Sequence, residues 1–213
     1  MEDLLALGLR QVPIVSRGGE WVNGQSLKDV ARLIGIDLGV IVHLPPAELV
    51  RRIDLVIEGA ARFFAQLPEE HLEDLLPGRP RSYAQLARHL FNVADAWLDH
   101  EQGIALKEGA YSRDPPEGTT RDQILAYGDD VRRRLALWWE SAQVHIDWSA
   151  KADVYYGNNV SRHEFLERTT WHSGQHARQW MWLLQDKFAI EPDRPLGPEM
   201  WTGLPMPDQV WDS

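Results

Sequence analysis

The 213-residue chain carries 32 acidic against 22 basic side chains, a formal charge of −10, which argues against the basic footprint that nucleic acid or an anionic membrane requires and favours a small-molecule partner. It contains no cysteine, so disulfides, thiolate ligands and a cysteine nucleophile are excluded, and any metal must be held by His, Asp or Glu. Hydrophobic residues at 44%, ten of them tryptophan, suffice for a large core. No apolar run is long enough to span a bilayer and the start Met1-Glu2-Asp3 lacks a basic signal region, so the expectation is a soluble cytoplasmic protein.

Residues 1–44 read as a small αββα segment. A short apolar helix over Asp3–Gly8 precedes an extended Gln11–Val15, a turn at Gly18-Gly19 and a strand at Glu20–Val22. A helix then starts at the N-cap Ser26, with Leu27, Val30, Ala31, Leu33 and Ile34 on its apolar face, and stops at Gly35. This order, with Val12-Pro13 opening a strand, resembles the C-terminal half of a glutaredoxin or thioredoxin fold. The redox half is missing, so no disulfide chemistry carries over. The resemblance implies a possible thiol contact at Val12 and Pro13; a small cap packed on the main domain, or an interaction or dimer surface, is the competing reading.

From Pro45 the pattern is helical. Pro46 suits a first helical position, and Leu49, Ile53, Val56, Ile57, Ala60, Phe63, Phe64 and Leu67 recur at helical spacing before Pro68. Three further helices open on capping boxes: Ser82 with Gln85, Thr120 with Gln123, and Ser161 with Glu164. The last continues to about Phe188. Four long amphipathic helices over residues 45–190 predict a mainly α protein, an antiparallel four-helix bundle, with residues 191–213 a proline-rich tail packed on it. Residues 105–119 form a long connection, either a crossover or a loop near the site.

Chemistry concentrates on the last helix. His172 and His176 lie four residues apart, about 400° around an α-helix and about 6 Å along it, so both imidazoles leave one face and can share an ion. Phe165, Thr169, Gln179 and Leu183 share that stripe, which should face inward, and Trp180 stands beside it as a candidate wall; Trp171 and Trp182 point away, toward core or interface. On the second long helix, Leu86, His89, Val93 and Trp97 share a face, so His89 also points inward and needs a partner. His100 is about three turns away, roughly 16 Å, too far to join one ion, and His163 lies on the opposite side of its helix. His89, His172 and His176 are therefore the candidate ligands of a divalent metal with open positions. Asp95 falls outside the His89 stripe and Glu167 reads as a solvated residue, so no general base stands out. The run Arg132-Arg133-Arg134 reads as a solvated face.

The segments Ala87-Arg88-His89-Leu90 and His172-Ser173-Gly174-Gln175-His176-Ala177-Arg178-Gln179 resemble the metal-binding motifs of the DinB-like superfamily, across about residues 45–190. That resemblance implies nickel or zinc held by His89, His172 and His176, with Gln179 supporting the site. It also implies a homodimer and an S-transferase acting on small electrophiles with a low-molecular-weight thiol as cosubstrate. A metal-dependent hydrolase, and a non-catalytic bundle serving interaction or dimerisation, are the alternatives.

Overall fold

A computed structural model describes residues 13–39 and 42–211; the helix expected over Asp3–Gly8 and the thiol contact at Val12 lie outside them. The described residues are mainly helical with one small antiparallel sheet. Strand β1 (Ile14–Arg17) pairs with β2 (Glu20–Asn23), Ile14 opposite Asn23 and Arg17 opposite Glu20. Gly18, at φ 62°, makes the tight turn between them, a left-handed conformation that costs a glycine little. Helix α1 (Leu27–Ile34) follows, capped by the Ser26 hydroxyl, which accepts from the Asp29 amide, and ended by Gly35 in the left-handed region.

Four long helices form the core: α2 (Pro46–Gln66), α3 (Tyr83–Glu101), α4 (Arg121–Ala142) and α5 (Arg162–Trp182). Each of the last three begins on a complete capping box, in which the N-cap hydroxyl takes the N3 amide and the N3 side chain returns to the N-cap amide. Helix α5 passes directly into a π-helical turn, Leu183–Lys187. Helix α3 packs on both α4 and α5, and α2 packs on α5 and α4. Where α3 meets α4, Phe91 fills the space above Gly128; a Cβ there would stand 2.9 Å from the ring, so only glycine admits this approach.

Apolar residues of all four helices merge into one core with Trp97 at a hub. Its ring is fully buried and lies 5.4 Å from Trp138, 5.1 Å from Phe165 and 6.4 Å from Trp148. The arginine run on α4 is neutralised within the chain: Arg132 pairs with Asp54, Arg133 with Asp130, and Arg134 with both Asp130 and Asp95.

The chain after α5 returns across α2 and α5. Arg52, buried on α2, donates to the Met200 and Thr202 carbonyls at 2.9 and 2.8 Å. Trp201 sits over Gly174, where a Cβ would approach its ring to 2.9 Å, and Trp211 packs edge-on against Trp182. Arg178 donates to the Pro207 and Asp208 carbonyls, and Gln175 to those of Gln209 and Val210. These bonds satisfy carbonyls of a segment whose regular structure, among the described residues, is the short 3-10 turn Pro198–Met200.

Candidate metal centre

Helix α3 contributes His89 and helix α5 contributes His172 and His176. One ligand atom of each lies within 4.8 Å of the others, the one such group of three among the described residues. The ring centroids stand 4.7 Å apart for His89 and His176, 5.4 Å for His89 and His172, and 5.0 Å for His172 and His176. The group could hold a metal ion.

Two of the rings are oriented from behind. His89 Nδ1 stands 2.5 Å from the carbonyl of Tyr111, in the connection between α3 and α4; a carbonyl only accepts, so Nδ1 carries the proton and Nε2 keeps its lone pair. His176 Nδ1 is 2.7 Å from Gln179 Oε1, and the Gln179 amide donates in turn to the Val210 carbonyl at 3.1 Å. That second bond assigns the oxygen of Gln179 to the imidazole and so places the His176 proton on Nδ1. Fixing the ring by its far nitrogen is the usual support of a metal-bound histidine. His172 supplies the test of fit. Its Nδ1 is buried with no hydrogen-bond partner, a cost that a bound cation would relieve.

All three donors are imidazole nitrogens, which suit zinc and nickel alike. Burial holds His172 well below the usual imidazole range, and the neighbouring His176 and His89, then Arg168 and Arg81, lower it further. His89 is depressed by burial first, then by His176 and Arg81, while its bond to the Tyr111 carbonyl acts the other way. Neutral rings are the form a metal requires. The unfolded chain takes up protons below about pH 6.5 while these folded imidazoles resist, so the stability of the metal-free protein falls as pH drops from about 6.5 toward the depressed values. Urea midpoints of the metal-free protein are therefore expected to decline between about pH 6.5 and 5, and more shallowly in His172→Gln. An equal decline in the variant would detach that limb from His172.

The other expected residues fall as follows. Gln179 is brought to the site as described. Thr169 is fully buried, but its hydroxyl donates to the Phe165 carbonyl one turn back on the same helix. Trp180 is a core residue, its ring 5.5 Å from Phe64 and 6.2 Å from Tyr83. Pro13 is exposed, its carbonyl accepting from the Gly24 amide. Asp95 is committed to Tyr127 and Arg134. His100 accepts from the Asp153 amide, and His163 Nε2 stands 2.8 Å from the Leu44 carbonyl.

Glu167 corrects the sequence reading. It is 8% exposed, not solvated, and bonds to His43 Nδ1 at 3.0 Å. It lines a cavity of about 700 Å³ between the small αβ segment, the N-terminal half of α5 and the returning tail. Trp171 and Arg168 line it too. The Trp171 ring is 5.9 Å from that of His172, and Tyr111 is 5.1 Å from His172. The cavity therefore abuts the histidines without including them. Its lining residues come from distant parts of the chain, and only the presence of an arginine and a tryptophan beside the histidine pair hinted at it in the sequence.

Neither a comparison with protein-family profiles nor one with curated proteins finds a match to this chain. No helix among the described residues is long and apolar enough to cross a membrane.

Proposed function

We propose that the chain is a metal-dependent enzyme of the DinB-like class, its four long helices forming that family's bundle, and that it transfers a low-molecular-weight thiol to small electrophiles. The observation that carries this reading is the convergence of three histidines from two helices, two of them braced through Nδ1 and one with an unsatisfied buried nitrogen. Three imidazoles leave room for an exogenous ligand on a divalent nickel or zinc ion, and the chemistry such an ion supplies is acidification of a bound thiol. The protein has no cysteine with which to supply a nucleophile of its own.

The surroundings support an anionic ligand. Arg81 and Arg168 both exert a positive field on His172, and such a field favours a thiolate over a neutral thiol. Tyr111 and Gln179 hold two imidazoles in position, and the tail carbonyl of Val210 holds Gln179. In the reaction the thiolate sulfur forms a bond to an electrophilic carbon, the leaving group departs with its electron pair, and the thiol proton passes to solvent.

The test uses untagged protein, its metal content measured, with 1-chloro-2,4-dinitrobenzene and a panel of small thiols. Release of chloride that requires protein, metal and thiol together is the expected result. Stoichiometric metal without thiol-dependent turnover would leave a metal-binding scaffold and overturn the transferase assignment.

A further inference from the structure

We infer that the cavity beside the histidines binds an organic carboxylate, its charged end on Arg168 and its apolar body against Trp171 and Met206. The volume of about 700 Å³ falls within the range of small-molecule sites. At its α5 wall the Arg168 guanidinium lies 4.2 Å from the centre of the Tyr156 ring and 5.1 Å from that of Trp171. Stacking between rings fixes the plane of the fork while leaving its edge donors available. One of them reaches Gln25 Oε1 at 2.5 Å, and Arg168 forms no ion pair among the described residues.

The carboxylates around the cavity are matched elsewhere. Glu164 pairs with Lys28 at 2.5 Å, Asp29 with Arg32 at 2.7 Å, and Glu167 with His43 at 3.0 Å. In a chain with a formal charge of −10, a half-buried arginine with no acidic partner is the feature that asks for an external anion. The guanidinium fork matches a carboxylate in two parallel bonds. With Glu164, Asp29 and Glu167 already paired, Arg168 supplies one uncompensated charge, which matches a singly charged group rather than a phosphate dianion. Pro205, Met206 and Pro207 close the cavity from the tail with apolar surface, suited to an aryl or alkyl body.

This inference goes beyond the thiol-transfer reading and stands apart from the metal, because none of the three histidines lines the cavity. Calorimetric titration of the metal-free protein with benzoate, cinnamate and 3-phenylpropionate tests it, with 3-phenylpropanamide as the uncharged match and benzyl phosphate as the alternative anion. At least one carboxylate is expected to bind, 3-phenylpropionate about tenfold or more tighter than its amide, and equally well after metal is added. Arg168→Gln should weaken binding about tenfold or more, and Arg168→Lys by less, since it keeps the charge and loses the fork. The acid–amide comparison needs no variant, so misfolding of either substitution leaves it decisive. Absence of binding by all three carboxylates, equal affinity for acid and amide, a preference for benzyl phosphate, or unchanged affinity in a folded Arg168→Gln would each overturn the inference.

Discussion

Replacing His172 by alanine is expected to remove stoichiometric metal from the protein. Loss of a supporting partner behind a ligand weakens metal sites about 10- to 100-fold, so loss of the ligand itself should exceed about 100-fold, or about 2.8 kcal/mol. In the wild type, an ion at a hundred times its dissociation constant stabilises the fold by about 2.7 kcal/mol, an upward shift in melting temperature of about 5–10 °C for a chain of this size. That shift should vanish in His172→Ala. His163→Ala is the matched control, because His163 lies on the same helix but is committed to the Leu44 carbonyl. Elemental analysis after dialysis against zinc or nickel reads both variants, and equal metal in His172→Ala and wild type would remove the three-histidine assignment.

Trp97→Ala should be the most damaging core substitution. The ring is fully buried where α3, α4 and α5 meet, and it bears on Trp138, Trp148 and Phe165 at once. Truncating such a residue removes both its transfer free energy and the contacts of its neighbours, about 3–5 kcal/mol, or about 6–20 °C in melting temperature. Trp97→Phe tests the cause. The indole Nε1 is buried without a hydrogen-bond partner, so phenylalanine deletes an unsatisfied donor along with part of the ring and should cost much less than alanine. Thermal melts of the metal-free proteins give the comparison; equal losses in the two variants would mean that the Nε1 group, not ring volume, matters.

The parts of this molecule legible in the sequence are those set by local rules. The boxes Ser82–Gln85, Thr120–Gln123 and Ser161–Glu164 mark helix starts because the hydrogen bonds that define them span only three residues. The spacing of His172 and His176, and the inward face holding His89, follow from helical pitch alone, and the structure brings the three together. What escaped depends on partners far away along the chain. Glu167 has an ordinary sequence context, and the partner that makes its burial tolerable, His43, comes from the connection before α2. Trp180 lies near the ligand stripe by angle, yet the side chain turns to Phe64 and Tyr83, because packing against α2 and α3 decides its direction. The cavity at Arg168 is assembled from the αβ segment, α5 and the tail, and no periodicity within one helix encodes such an assembly.

The placement of the ligands has a bearing on how an ion would leave. His89 is on α3 and the histidine pair on α5, with the whole of α4 and its connections between them in the chain. Neither helix frays at these positions, since His89 lies nearly two turns inside α3 and His172 near the middle of α5. An ion gripping both helices is a clasp across the fold, and its escape is governed by separation of α3 from α5 rather than by rotation of one side chain. Occupancy would then act as a kinetic lock: slow chelator extraction at mild temperature, accelerating steeply once the two helices part.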